Sequence, residues 1–210
     1  MEINVFSCHT EKEGSILLDF VEKDYKYGSP LSRLENGPET IIIPYGAERI
    51  GNEVFENCTW LKQVIIPDTV KRIGNGAFAG SGLIDCYVPE GVCMIEGGAF
   101  FNSNLKSVFL PQTLKVLKTP FVGCINLSEM YIASNDITFL PTSPNSHYKD
   151  DLNIWGFDTN RCSIKVPMRV ADVYKAHWAF KNFGEIVPIR GDLQIVYMDY
   201  LNSKDCCDYF

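Results

Sequence analysis

The chain has 210 residues, 46% of them apolar, 21% charged and 12% aromatic, with 19 basic against 26 acidic side chains and a formal charge of −7. That composition supplies a sizeable core and excludes a mainly disordered chain. The acidic balance argues against a nucleic-acid partner, because phosphate binding rests on clustered Lys and Arg. No stretch approaches the ~20 consecutive apolar residues of a membrane helix, so membrane insertion is not expected.

Residues 1–38 show no repeat. INVF and SILLDF flank the turn-rich CHTEKEG and predict a strand pair, followed by the connector YGSPLSRLENGP. We read this segment as an N-terminal cap.

From residue 39 the chain becomes periodic. Prolines fall at Pro44, Pro67, Pro89 and Pro111, spaced 23, 22 and 22, and rings follow at Phe55, Phe78, Phe100 and Phe121. Two further rows, Leu61, Leu83, Leu105, Leu127 and Ile50, Ile73, Ile95, Leu117, keep the same period. In Leu61, Val64 and Ile66 the spacing is LxxLxL, in which a short strand turns alternate side chains inward and the next coil stacks beside it. One such unit cannot bury its apolar face alone, so stacked coils are required. Proline marks where strand pairing stops, and Gly51, Gly74, Gly76 and the Gly97-Gly98 pair mark tight turns. The fourth coil departs from the pattern, with Leu117-Lys118 for I-G and Pro120-Phe121 for A-F, which predicts an irregular turn there.

After Ala133 the next strand-end slot is Pro167, 34 residues on where 22 are expected, so an inserted loop occupies about residues 134–161, anchored by Trp155 and Phe157. The segment VYKAHWAFKNF predicts a short amphipathic helix using Val173, Trp178, Phe180 and Phe183, within a C-terminal cap at about 168–190. The tail, 191–210, alternates apolar and polar at Leu193, Ile195 and Tyr197 and reads as an edge strand with frayed last residues.

IPDTVKRIGNGAFAG and its neighbours resemble the BspA-type leucine-rich repeat family, over about residues 40–190, and the segment around VYKAHWAFKNF resembles the end of many such proteins. The resemblance implies a right-handed leucine-rich repeat solenoid, α/β or mainly β. Parallel strands would line its concave face, short helical or 3-10 turns would lie opposite, and both ends would be capped. It implies a binding role, cell-surface or secreted, with no catalytic residues and no cofactor to carry over. The start MEINVFSCHTEKEG lacks the basic flank and apolar run of a leader, which leaves the cytoplasm as the alternative location.

In the repeat strand, positions one, four and six point inward, so positions three and five face the concave side, where a partner is expected to bind. Position five holds Ile42, Ile65, Tyr87, Phe109 and Tyr131, predicting a stripe across adjacent strands ~4.8 Å apart. A stripe of this kind serves as a partner-binding strip, or it is covered by a terminal element while cross-strand pairs stabilise the sheet. Protein is the expected partner and carbohydrate the alternative, since Tyr and Phe faces also stack on sugars; a purely structural or assembly module is the third possibility. Position three, with Gln63, Asp85, Ser107 and Glu129, favours a ligand of some basic character.

Catalysis is not expected. His9, His147 and His177 have no carboxylate or thiol at a motif spacing, although Cys8-His9, or Cys162 with His177, leave a spatial Cys-His pair open. Cys58 and Cys124 share one repeat offset and read as packing residues. The eight cysteines form no CxxC pair, and Asn135-Asp136 and Asp150-Asp151 lack calcium-loop spacing, so no metal is expected.

Overall fold

The computed structural model describes residues 35–140 and 155–205, Leu31, and the backbone of strands Glu2–Ile3, Val5–Thr10 and Ser15–Phe20. Within these residues the chain winds as a solenoid of about six turns, built from parallel strands and few helices. One side of the coil is a long sheet in two abutting parts. The first carries Val5–Thr10, Ser15–Phe20, Thr40–Ile42 and Gln63–Ile65; the second carries Asp85–Tyr87, Ser107–Leu110, Glu129–Ile132, Ser163–Pro167 and Glu185–Ile189. Every pairing is parallel except Val5–Thr10 with Ser15–Phe20. Where the parts meet, the Ile84 N–H donates to the Lys62 carbonyl at 3.3 Å.

The register explains the sequence rows. Val108 stands beside Cys86 and Met130, and Phe109 beside Tyr87 and Tyr131, so residues one period apart are neighbours. Positions one, four and six are buried throughout: Leu61, Leu83 and Leu105, then Val64, Cys86, Val108 and Met130, then Ile66, Val88, Leu110 and Ile132. A second sheet of two-residue strands, from Glu2–Ile3 through Arg49–Ile50, Arg72–Ile73 and Met94–Ile95 to Val116–Leu117, buries the Ile50 row against them.

The third side of each coil is a run of tight turns, where the sequence predicted helical or 3-10 pieces. A backbone constraint prevents helix there. Left-handed residues recur at two slots in the four coils that carry the phenylalanine row, Glu53, Gly76, Gly98 and Thr119 at the first and Asn57, Gly80, Asn102 and Gly123 at the second, all with positive φ. A right-handed helix cannot run through either slot. Between them sits the phenylalanine row, with Phe55, Phe78, Phe100 and Phe121 stacked at centroid separations of 5.2, 5.4 and 5.5 Å. Close approach excludes a side chain at Gly74, where a Cβ would lie 2.7 Å from the Gly51 carbonyl carbon of the preceding coil.

The fourth coil is less irregular than its sequence predicts. Ala77 and Ala99 donate turn bonds to Gly74 and Glu96, and Pro120 at the matching position has no N–H to give. The coil contact survives, because the Pro120 carbonyl accepts from Phe100 N at 2.9 Å and Phe121 keeps its place in the stack.

Beyond the insertion the sheet resumes in register, Glu129 beside Ser163 and Ser163 beside Glu185. Buried Trp155 donates its indole N–H to the Ala179 carbonyl at 2.9 Å, and buried Tyr174 reaches the Ser134 carbonyl at 3.0 Å, tying both sides of the insertion to the C-terminal segment 171–180. Helix α1 is Ala171–Ala176, and a separate 3-10 turn spans Trp178–Phe180. Val173 is exposed, contrary to expectation; Ala171 and Tyr174 point inward instead, because extended His177 breaks the helical phase before Trp178.

The tail is also corrected. Leu193–Asp205 is a helix, α2, rather than an edge strand. Asp192 caps its first turn by accepting from Gln194 N at 2.8 Å, and Leu193, Tyr197 and Leu201 repeat at the four-residue spacing of one helix face.

Phe100 is buried between Phe78 and Phe121. Phe100→Ala is expected to lower unfolding free energy by about 3–5 kcal/mol in urea denaturation, against under about 1 kcal/mol for a surface change such as Lys115→Ala.

Candidate functional site

The outer face of the long sheet is built by position five of each coil. Ile42, Ile65, Tyr87, Phe109 and Tyr131 stand in one row, and past the insertion Lys165 and Val187 extend it. The row does not present one continuous surface. Ile65 is 47% exposed and Ile42 and Tyr87 are half-buried, whereas Phe109 and Tyr131 are 0% and 1% exposed.

The cover is α2. Tyr197, itself fully buried, sets its ring 4.8 Å from Tyr131, 5.6 Å from Phe109 and 6.2 Å from Tyr87, while Tyr200 approaches Tyr131 at 5.6 Å. Phe109, Tyr131, Leu193 and Tyr197 form a small apolar cluster that shares no residue with the core inside the coils. Of the row read from sequence, Phe109 and Tyr131 are covered by this terminal element, and Ile42, Ile65 and the edge of Tyr87 keep exposed surface. The covering helix lies more than sixty residues further along the chain than Tyr131.

Polar groups under α2 are matched. Buried Ser107 hydrogen-bonds Asp85 Oδ1 and, at 3.2 Å, the Tyr197 hydroxyl. The carboxylate only accepts, so Ser107 gives it the hydroxyl proton and Tyr197 must donate to Ser107. At the other margin Lys165 pairs with Glu129 and stands 4.7 Å from the Tyr131 ring centroid. Burial lowers the Lys165 pKa, opposed by the Glu185 charge. Burial also pushes the Tyr131 phenol up to about 12, with Tyr200 and Asp85 adding to it, and holds Tyr197 well above the ordinary tyrosine range despite its bond to Ser107.

Cys162 is buried with its thiol pushed up to about 12 by desolvation, and Cys86 likewise, helped by Asp85. Both shifts favour the protonated thiol at neutral pH. His177 accepts from Ala179 N at 3.3 Å and packs against Trp178 and Phe180, and burial lowers its pKa. Cys58 and Cys124 are buried, and Cys124 donates to the Phe100 carbonyl at 3.0 Å. Asn135 receives two bonds from Arg169, and Asp136 accepts from Thr138, which lowers its pKa. His147, Asp150-Asp151, Cys206 and Cys207, and the side chains of Cys8 and His9, lie outside the described residues. Among the described residues no three His, Cys, Asp or Glu side chains gather as a metal site would need, and no helix is long and apolar enough to cross a membrane.

With this geometry in place, the family assignment is decided by residues 36–147, over half of the chain, which match six copies of the BspA type leucine-rich repeat region. The chain belongs to the BspA-type leucine-rich repeat family. No curated protein matches it in sequence. Among solved structures it is similar to a leucine-rich repeat protein from Eubacterium ventriosum, at 19% identity and TM-score 0.43, covering 60% of this chain and 41% of that one. It is also similar to a leucine rich cell surface protein from Faecalibacterium prausnitzii, at 14% identity and TM-score 0.32, covering 77% and 62%. A third similar structure is a leucine-rich repeat protein from Bacteroides ovatus, at 15% identity and TM-score 0.25, covering 89% and 76%. The chain thus spans about two fifths of the first structure and less than two thirds of the second. A BspA-type solenoid is a binding or structural repeat module of a kind that is typically non-catalytic.

The tyrosines fix an alkaline limit. Folded Tyr131 and Tyr197 keep protons that the unfolded chain releases above its ordinary value near 10, so unfolding stability falls as pH rises beyond about 10. Denaturant titrations from pH 8 upward are expected to show that decline beginning near 10, with a shallower slope in Tyr197→Phe.

Proposed function

We propose that the protein is a non-catalytic binding scaffold that engages a protein partner through the uncovered end of the long sheet, at Ile42, Ile65 and the edge of Tyr87. Exposed Ile65 carries this reading: a β-branched apolar side chain 47% exposed in mid-sheet, between two half-buried apolar neighbours in the same row. Exposed apolar surface in a polar surround marks interaction sites, and the adjacent Thr40, Gln63 and Asp85 supply the polar margin. Protein is favoured over carbohydrate because Tyr87 stacks on Phe109 at 5.0 Å and approaches Tyr197, which leaves its edge rather than an open face for a sugar. The family's association with bacterial surface proteins supports a surface location and an adhesive role.

A pull-down with Ile65→Glu beside Lys115→Glu, which alters a different side of the coil, tests this. Ile65→Glu is expected to keep the wild-type circular dichroism spectrum and lose the captured partner by about tenfold or more, with Lys115→Glu unchanged. Equal capture by both variants would reject the sheet face.

A further inference from the structure

The link between the last strand of the long sheet, Glu185–Ile189, and α2 is three residues, Arg190, Gly191 and Asp192, all exposed. Gly191 has φ +107°, and nothing lies within 4 Å of where its Cβ would stand. The turn is held from both sides. The strand before it is registered against Ser163–Pro167, and the helix after it is fixed by the Tyr197 cluster. A cation and an anion are thereby displayed across a residue without a side chain, on a turn held by its neighbouring elements that lines one side of a concavity shared with Glu90, Gln112 and Arg169.

Neither charge is used up by the fold. Arg190 Nε donates to the Met168 sulfur at 3.3 Å, a neutral partner, and among the described residues Arg190 makes no ion pair. Asp192 spends Oδ1 on Gln194 N, and among the described residues Oδ2 makes no hydrogen bond or ion pair. One turn into α2, Ile195 is 60% exposed and adds an apolar contact on the same stretch.

We propose that Arg190-Gly191-Asp192 is a recognition turn for a protein receptor holding an acidic pocket beside a bound divalent cation. The receptor's carboxylate would take the Arg190 fork, and its cation would take an Asp192 oxygen into an open coordination position. A guanidinium forms paired bonds with a carboxylate, and hard cations such as Mg²⁺ select carboxylate oxygen, so the two ends of the turn are read by different chemistries. A lone surface charge offers little affinity or selectivity on a chain with 45 charged Lys, Arg, Asp and Glu side chains, 19 basic and 26 acidic. Two opposite charges on one held turn, with no Cβ between them to hold the receptor off, offer both. This site is separate from Ile65 and stands without the sheet-face reading.

The probe is the purified ectodomain of an integrin that binds linear Arg-Gly-Asp peptides, flowed over the immobilised full chain in Mg²⁺. Expected is saturable binding that is lost with a chelator, competed by a linear Arg-Gly-Asp peptide, and weakened about 30-fold or more in Asp192→Asn. Asn caps a helix as well as Asp, so that variant is expected to keep α2 in circular dichroism while losing the metal-seeking charge. Arg190→Gln and Gly191→Ala are expected to weaken binding similarly, and Ile65→Glu to leave it intact. The proposal is overturned if the wild-type chain fails to bind an ectodomain that binds the linear peptide, or if binding persists in chelator or in Arg190→Gln. Should Asp192→Asn disturb α2, the Arg190→Gln result decides.

Discussion

Parallel hydrogen bonding between successive coils is the constraint on which this molecule rests. A parallel strand can bond its neighbour in register only if the chain returns to the same place with the same direction, so a coil without an insertion spends nearly the same number of residues on the way round as the one before it. That requirement produces the 22-residue spacing, the repetition of one residue type in each slot, and the ladders of Leu, Ile and Phe that fill the interior. The constraint acts on backbone conformation more strictly than on residue type. Glu53 and Thr119 hold a left-handed φ at a position that Gly76 and Gly98 fill in the coils between them. Each such residue costs the fold on the order of 1 kcal/mol or more, offset by the coil contacts on either side.

The rows of Pro, Leu and Phe were legible in the sequence because each slot admits essentially one chemistry. The turns were less legible. Asn57 and Asn102 suit a positive φ, but Glu53 and Thr119 do not announce one, so segments that break helix twice in these four coils read as short helices. The tail was misread for a different reason. Leu193, Ile195 and Tyr197 alternate, while Leu193, Tyr197 and Leu201 step by four, and a short segment satisfies both periods at once. The Asp192 cap and the rings waiting on the sheet select the helix. Likewise the placement of Tyr87, Phe109 and Tyr131 in one row came from the repeat, but what lies over them depends on a helix far along the chain, and local pattern carries no such information.

That helix divides the molecule into two apolar bodies of unequal size. The larger fills the coils and is sealed by backbone ladders on two sides; the smaller is a handful of rings clasped between the sheet and α2. Their stabilities are set separately. The smaller body is held by side-chain contacts and the Tyr197, Ser107 and Asp85 hydrogen bonds rather than by backbone ladders, the kind of attachment that local opening can release while the rest stays folded. Its position also decides which face is open, since the covered and uncovered halves of the row meet at Tyr87.

The outermost strand of the long sheet, Glu185–Ile189, contains Pro188, opposite Val166 on its inner neighbour. A solenoid is by nature a template for its own extension, and a regular outer strand would invite another molecule's strand to lie alongside and lengthen the stack into a fibre. Proline removes an amide from that margin and leaves any newcomer one donor short. The same architecture that grows by adding coils within a chain is in this way discouraged from growing between chains.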